Sequence, residues 1–122
     1  MKVKFAATFN APDYYEFNGK VVTAFYKGKS ESIDLSGLEY GDKVYGIVFE
    51  NLTPLRTSHI LRSVYVDQSG ELFVELAQKC PQIEGHWWES DWIDSFDYDK
   101  DKLYIVELDK PHPELFAEPE DV

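Results

Sequence analysis

The sequence predicts a mainly β fold, an antiparallel β-sandwich or small barrel of about eight strands, with at most one short helix near residues 86–96. Three observations carry this. Apolar and polar residues alternate along most of the first eighty positions, the two-residue period of a strand with one buried face. Turn signals such as Asn18-Gly19, Lys27-Gly28 and Ser69-Gly70 separate these runs at strand-length intervals. The 122-residue chain is 43% hydrophobic and 16% aromatic, enough to fill one core, and its single cysteine, Cys80, excludes an internal disulfide framework.

Taken in order, Val3, Phe5, Ala7 and Phe9 alternate with Lys2, Lys4 and Thr8 as a first strand, broken at Asn10–Asp13. Tyr14–Phe17 is a short aromatic strand. Asn18-Gly19, two residues tolerant of positive φ, turns it into a partner over Lys20–Lys27. Lys27-Gly28 turns again into Ser30–Leu35. After a Gly-bracketed connection, Lys43–Glu50 is rich in β-branched and aromatic residues, and Gly46 inside it marks a bulge or a close backbone approach. Asn51–Thr57 contains Pro54 and reads as a loop. Ser58–Asp67 and Glu71–Gln78 form the clearest hairpin, with Ile60, Val64 and Val66 on one face opposite Leu72, Val74 and Leu76.

Beyond Cys80 the period changes. Trp88, Trp92 and Phe96 recur at helical spacing, with Trp87 and Ile93 adjacent. This fits a short amphipathic helix, and a loop plugged by aromatics is the other reading. Lys102–Leu108 is a last strand. The domain is therefore expected over residues 1–108. Residues 109–122, with Pro111, Pro113, Pro119 and five acids, form a carboxy-terminal tail.

Charge divides the chain. Residues 1–79 carry nine Lys and Arg against ten Asp and Glu, whereas residues 80–122 carry three against thirteen. No basic stripe exists to displace counterions from phosphates, so nucleic acid is disfavoured as a direct ligand. An acidic third suits solubility or a basic protein partner. No run approaches the ~18 apolar residues of a membrane span, and the basic start turns polar too early for a secretory signal. The expectation is a cytoplasmic protein without membrane contact.

Candidate chemistry is sparse. Asp97, Asp99 and Asp101 resemble the opening of a calcium loop. Its sixth position is Lys102 where Gly belongs, however, and its twelfth is Leu108 where a bidentate Glu belongs. An acidic loop tip is the plainer reading, with no metal and no cofactor. His59, His86 and His112 lack zinc-ligand spacing to one another and to Cys80, which reads as a packing residue. No nucleophile elbow or Gly-rich phosphate loop is present, so the chain reads as a non-enzyme. Trp87, Trp88 and Trp92 lie among Glu84, Glu89, Asp91 and Asp94. Large indoles most often close the open end of a small β-domain. Exposed instead, they would anchor a protein interface, with Trp87, Trp88, Glu89, Asp91, Trp92 and Asp94 as its binding residues.

Over roughly residues 20–78 the chain resembles short proteins encoded in the tail modules of phages and prophages of Gram-positive bacteria. The pattern is a strand closing on a turn at Asp34, Leu35, Ser36 and Gly37, a Leu-Pro loop at Leu52–Pro54, and a hairpin over Ser58–Leu76 whose second strand begins Gly70-Glu71-Leu72. The resemblance implies a structural or interaction role in a phage or prophage, in the cytoplasm or on the virion, and carries no catalytic residues. The leading expectation is thus a non-enzymatic module that docks its acidic, Trp-rich region on another protein, basic or a tail component. A DNA-mimic inhibitor of a host enzyme is the alternative, and a carbohydrate-binding sandwich the third. Sheet edges leave homo-oligomers open.

Overall fold

The computed structural model describes residues 1–8, 10–52, 60–79, 90–102 and 104. Eight strands form among them: β1 Lys2–Thr8, β2 Tyr14–Asn18, β3 Val21–Tyr26, β4 Lys29–Asp34, β5 Lys43–Ile47, β6 Leu61–Val66, β7 Leu72–Lys79 and β8 Ile93–Asp94. They build two open sheets, β5-β6-β7-β1-β8 and β2-β3-β4, rather than a closed barrel. The mainly β, sandwich-like class expected from the alternation is the class observed.

Turn chemistry sets the registers. Tyr26 faces Lys29 across β3 and β4, so Lys27 and Gly28 are the two central residues of that hairpin. Both have positive φ, +50° and +82°, as the right-handed twist of the strands demands. The Asn18-Gly19 hairpin also forms, one residue out of the expected phase. Asn18 pairs with Val21, so Gly19 and Lys20 are central, and only Gly19 takes positive φ. Between β6 and β7, Gly70 takes the left-handed position (φ +88°) and Asp67 receives hydrogen bonds from the amides of Ser69 and Glu71.

A bulge interrupts the β6–β7 ladder between Leu61 and Ser63. The extra residue shifts the buried set by one, so Leu61 joins Ile60, Val64 and Val66 inside while Arg62 turns out. Strict alternation from Ile60 misses Leu61 for this reason. Gly46, with φ +65°, falls between the β5–β6 pairs Tyr45–Ser63 and Ile47–Leu61, beside the bulge.

One pair is parallel: β1 runs alongside β7 over its full length, Lys2 opposite Phe73 through Thr8 opposite Lys79. The rest of the pairing is antiparallel. One core joins the sheets, with Val3, Phe5, Val64, Val74 and Leu76 of the larger meeting Tyr15, Val22 and Ala24 of the smaller. The Tyr15 hydroxyl crosses that core to donate to the Ala77 carbonyl.

The far edge of β1 is covered by the strip at 90–95. Ser90 N donates to Phe5 O at 2.9 Å, Phe5 N donates to Ser90 Oγ at 2.9 Å, and Ser95 N donates to Met1 O at 2.9 Å. The sequence allows at most one short helix near 86–96, and of the two readings, amphipathic helix or loop, the described residues favour the non-helical one. In its described part, Ile93–Asp94 is a strand and Ser95–Asp97 a single 3-10 turn. The unpaired edge of β1 supplies backbone partners that outweigh a three-residue aromatic spacing. The strand expected over Lys102–Leu108 is corrected where it is described, since Lys102 and Tyr104 lie outside any strand and Tyr104 sits in a turn. The tail at 109–122, Cys80, His59, His86 and His112 lie outside the described residues. Among the described residues, no helix is long and apolar enough to cross a membrane.

Candidate interaction surface

Strand pairing dictates which side chains share the outer face of the five-stranded sheet. Lys43, Tyr65, Phe73, Lys2 and Asp94 form one row across all five strands. Tyr45, Ser63, Glu75 and Lys4 form the next, with the Lys4 ammonium 5.1 Å from the centre of the Trp92 ring. Tyr65 and Phe73 stack with centroids 4.9 Å apart and planes 3° from parallel. Trp92 meets both edge-on, 5.2 Å from Phe73 and 6.4 Å from Tyr65. Edge-to-face contact suits the ring quadrupoles and fixes the three rings as one unit.

Ion pairs frame this cluster. Lys2 Nζ lies 3.5 Å from Asp94 Oδ2, and Arg62 Nε lies 3.8 Å from Glu75 Oε2. Asp94 also accepts the Phe96 amide at 3.1 Å; that bond first, and Lys2 after it, holds its carboxyl below the usual carboxylate range. Toward the β6–β7 turn the face continues into a groove of about 710 Å³ lined by Tyr40, Lys43, Tyr65 and Asp67. Tyr45 is 70% exposed and Trp92 37%. The face is aromatic, half-open and bordered by charge.

Of the six residues expected to bind, the structure brings two together here, Trp92 and Asp94. Asp91 is exposed beside them, its carbonyl accepting the Ser90 hydroxyl at 2.9 Å. Trp87, Trp88 and Glu89 lie outside the described residues. The core or lid expectation fails for Trp92. Strand alternation turns Ile93 inward against the core and Trp92 outward. Phe96, the next residue of the helical spacing, is 91% exposed.

The lid exists, but tyrosines make it. Tyr98 and Tyr104 pack over Phe5 with centroids at 5.6 and 5.1 Å, and Tyr98 reaches Phe17 of the other sheet at 5.2 Å. The Tyr98 hydroxyl accepts the Tyr15 amide at 3.1 Å. Tyr104 N donates to Gln78 Oε1 at 2.8 Å, and its hydroxyl accepts the Asp99 amide at 2.7 Å. Burial raises the Tyr98 phenol to about 12 and pushes Tyr15 well above the usual tyrosine range.

Asp97, Asp99 and Asp101 are all exposed on the loop held by these tyrosines, and Asp99 Oδ1 accepts the Asp101 amide at 2.9 Å. Among the described residues no three His, Cys, Asp or Glu side chains are grouped to hold a metal. Tyr65 and Phe73 were missed as surface residues. The available signal was that each occupies the nominally polar position between two core residues of its strand, Val64/Val66 and Leu72/Val74.

Comparison with known proteins finds no matching family model, no matching curated protein and no matching solved structure.

Proposed function

We propose that this chain is a non-enzymatic protein-interaction module that docks a protein partner on the outer face of its five-stranded sheet. The phage or prophage setting implied by the resemblance at residues 20–78 belongs to the same reading. The observation that supports it most is the Tyr65–Phe73–Trp92 cluster. Stiff aromatic anchors ringed by charged groups are the composition of an interface centre.

The face also suggests the partner's chemistry. Lys2, Lys4, Lys43 and Arg62 stand among the rings with Glu75, Asp91 and Asp94, and Asp42 and Asp67 line the adjoining groove, so the face carries charges of both signs. An apolar surface rimmed by charges of both signs complements it. Lysines between rings do not imitate a row of phosphates, and an edge-on Trp92 makes no flat sugar platform. Neither the DNA-mimic nor the carbohydrate reading therefore draws support from this face.

A photo-crosslinking amino acid at Tyr45 tests the reading. Crosslinking should capture a defined protein, and Trp92→Ala or Phe73→Ala should weaken its binding at least about tenfold, the scale of a modest interface anchor. If both variants bind the captured protein as well as the parent does, the face is not the interface.

A further inference from the structure

We infer that Asn18 is a self-modification site: the backbone nitrogen of Gly19 attacks its side-chain amide, releases ammonia, and leaves aspartate or isoaspartate at the tip of the β2–β3 hairpin. The inference does not depend on the docking face.

The turn opens this reaction. Asn18 pairs with Val21, so Gly19 is a central turn residue and its N–H lies outside the ladder. Among the described residues no group accepts that N–H, and none bonds the Asn18 carboxamide. Both residues are exposed, and Gly19, at φ +60°, has nothing beyond its chain neighbours within 4 Å of where a side chain would project. Asn18 also ends its strand, where pairing frays first and the backbone can turn toward a ring. A side chain free to rotate therefore stands next to a nitrogen with neither a hydrogen-bond partner nor steric cover.

The other two asparagines lack this combination. Leu52, which follows Asn51, is fully buried, and its N–H donates to Phe49 O at 3.2 Å. Ala11, which follows Asn10, is buried, and the Asn10 carbonyl accepts the Thr8 hydroxyl at 2.7 Å.

Water is the only co-reactant. The Gly19 nitrogen gives up its proton and bonds to Asn18 Cγ; the Cγ–Nδ2 bond breaks, and Nδ2 leaves as ammonia with that proton. Water then opens the cyclic imide, its hydroxyl going to a ring carbonyl carbon and its hydrogen to the Gly19 nitrogen. Opening at Cγ gives aspartate. Opening at the Asn18 main-chain carbonyl gives isoaspartate, which routes the backbone through the side chain and lengthens it by a methylene. That methylene falls inside a two-residue turn whose Lys20 O accepts Leu35 N at 2.9 Å. Phe17, next to it, packs on Tyr98 at 5.2 Å. Isoaspartate at this position therefore shifts the end of β2 and loosens the tyrosine lid, so residue 18 records the age of the molecule.

Ageing the full chain in warm, mildly alkaline buffer tests this. Trypsin then releases residues 5–20, which hold both Asn10 and Asn18, and residues 44–56, which hold Asn51. Fragment masses should place the amide-to-acid gain at residue 18, with isoaspartate the larger product and a rate that rises in proportion to hydroxide. The rate should be close to that of the same asparagine in a synthetic peptide of residues 5–20. Conversion about tenfold slower than in the peptide, or slower still, overturns the inference, because the folded turn would then guard the site. So does an equal gain at Asn51, whose attacking nitrogen is tied. Chains rich in isoaspartate should unfold at lower urea than fresh Asn18→Asp, which has the charge without the longer backbone. Equal midpoints would overturn the effect on the lid.

Discussion

Two tyrosine hydroxyls bond the backbone: that of Tyr98 accepts the Tyr15 N–H, and that of Tyr15 donates to the Ala77 carbonyl across the core. Removing the second leaves a buried carbonyl without its side-chain donor, so Tyr15→Phe should cost ~1–3 kcal/mol in urea denaturation. The same pair governs behaviour in alkali. Tyrosines of the unfolded chain ionise near pH 10, whereas burial, then the neighbouring Tyr104 and Asp99, keeps Tyr98 protonated to about 12. The native state holds a proton that the unfolded state has released. This stability is complete below pH 10 and is lost as pH rises toward about 12. Urea midpoints should fall between pH 9 and 11.5, and Tyr98→Phe should make that fall shallower. Trp92 behaves differently, being 37% exposed. Trp92→Ala should cost ~1–2 kcal/mol from lost ring and cation contacts, below the ~3–5 of a buried indole. A loss at the upper figure would show that the ring is core after all.

At the scale of elements, residues with strong local rules were legible and those set by a distant neighbour were not. Alternation, turn signals and β-rich composition together located β1 through β7, each of which sends at least one residue to the core. Lys27-Gly28 was legible for the same local reason. The phase of the Asn18-Gly19 turn was not, since Gly19 satisfies either of two central positions. Ile93–Asp94 shows the limit: two residues have no period, and their partner lies some ninety positions earlier in β1. Tyr98 and Tyr104 escaped notice because nothing in their neighbourhood announces a lid, while Trp92 drew attention through its size. One element is locally imperfect. Lys27 holds φ +50° without being glycine or asparagine. The hydrogen bond its backbone N–H donates to Asp13 Oδ2, at 2.8 Å, uses no atom of the Lys27 side chain, so Lys27→Asn keeps it while easing the left-handed strain. A gain of ~0.5–1 kcal/mol is expected in thermal or urea melts, and a loss would mean the Lys27 side chain matters more than its backbone.

For the whole molecule, strand pairing brings charges of opposite sign together from distant parts of the chain. Trp92 and Asp94 come from the acidic third, yet the sheet delivers them to a face they share with Lys2, Lys4 and Lys43. Sequence counts alone placed them in an acidic patch, because strand pairing, not proximity in sequence, supplies Lys2, Lys4 and Lys43 as neighbours. Binding through that face should accordingly weaken as salt rises from 50 to 500 mM, and Lys4→Glu should weaken it further, both measurable by titration calorimetry. Binding that is indifferent to salt and to Lys4→Glu would assign the recognition to the rings alone.

The parallel alliance of β1 with β7 has a consequence during synthesis. β1 leaves the ribosome some seventy residues ahead of its long partner, Lys2 waiting for Phe73 and Thr8 for Lys79. At ~5–20 residues per second that interval lasts roughly 4–14 s. Meanwhile the β2–β4 meander, closed by two tight turns, can assemble by itself. The nascent chain thus exposes Val3 and Phe5, both fully buried at the end, for longer than any other part of the core. A chaperone that traps ribosome-bound chains should hold those stalled before residue 72 by this amino-terminal strand, and release those stalled once β7 has emerged.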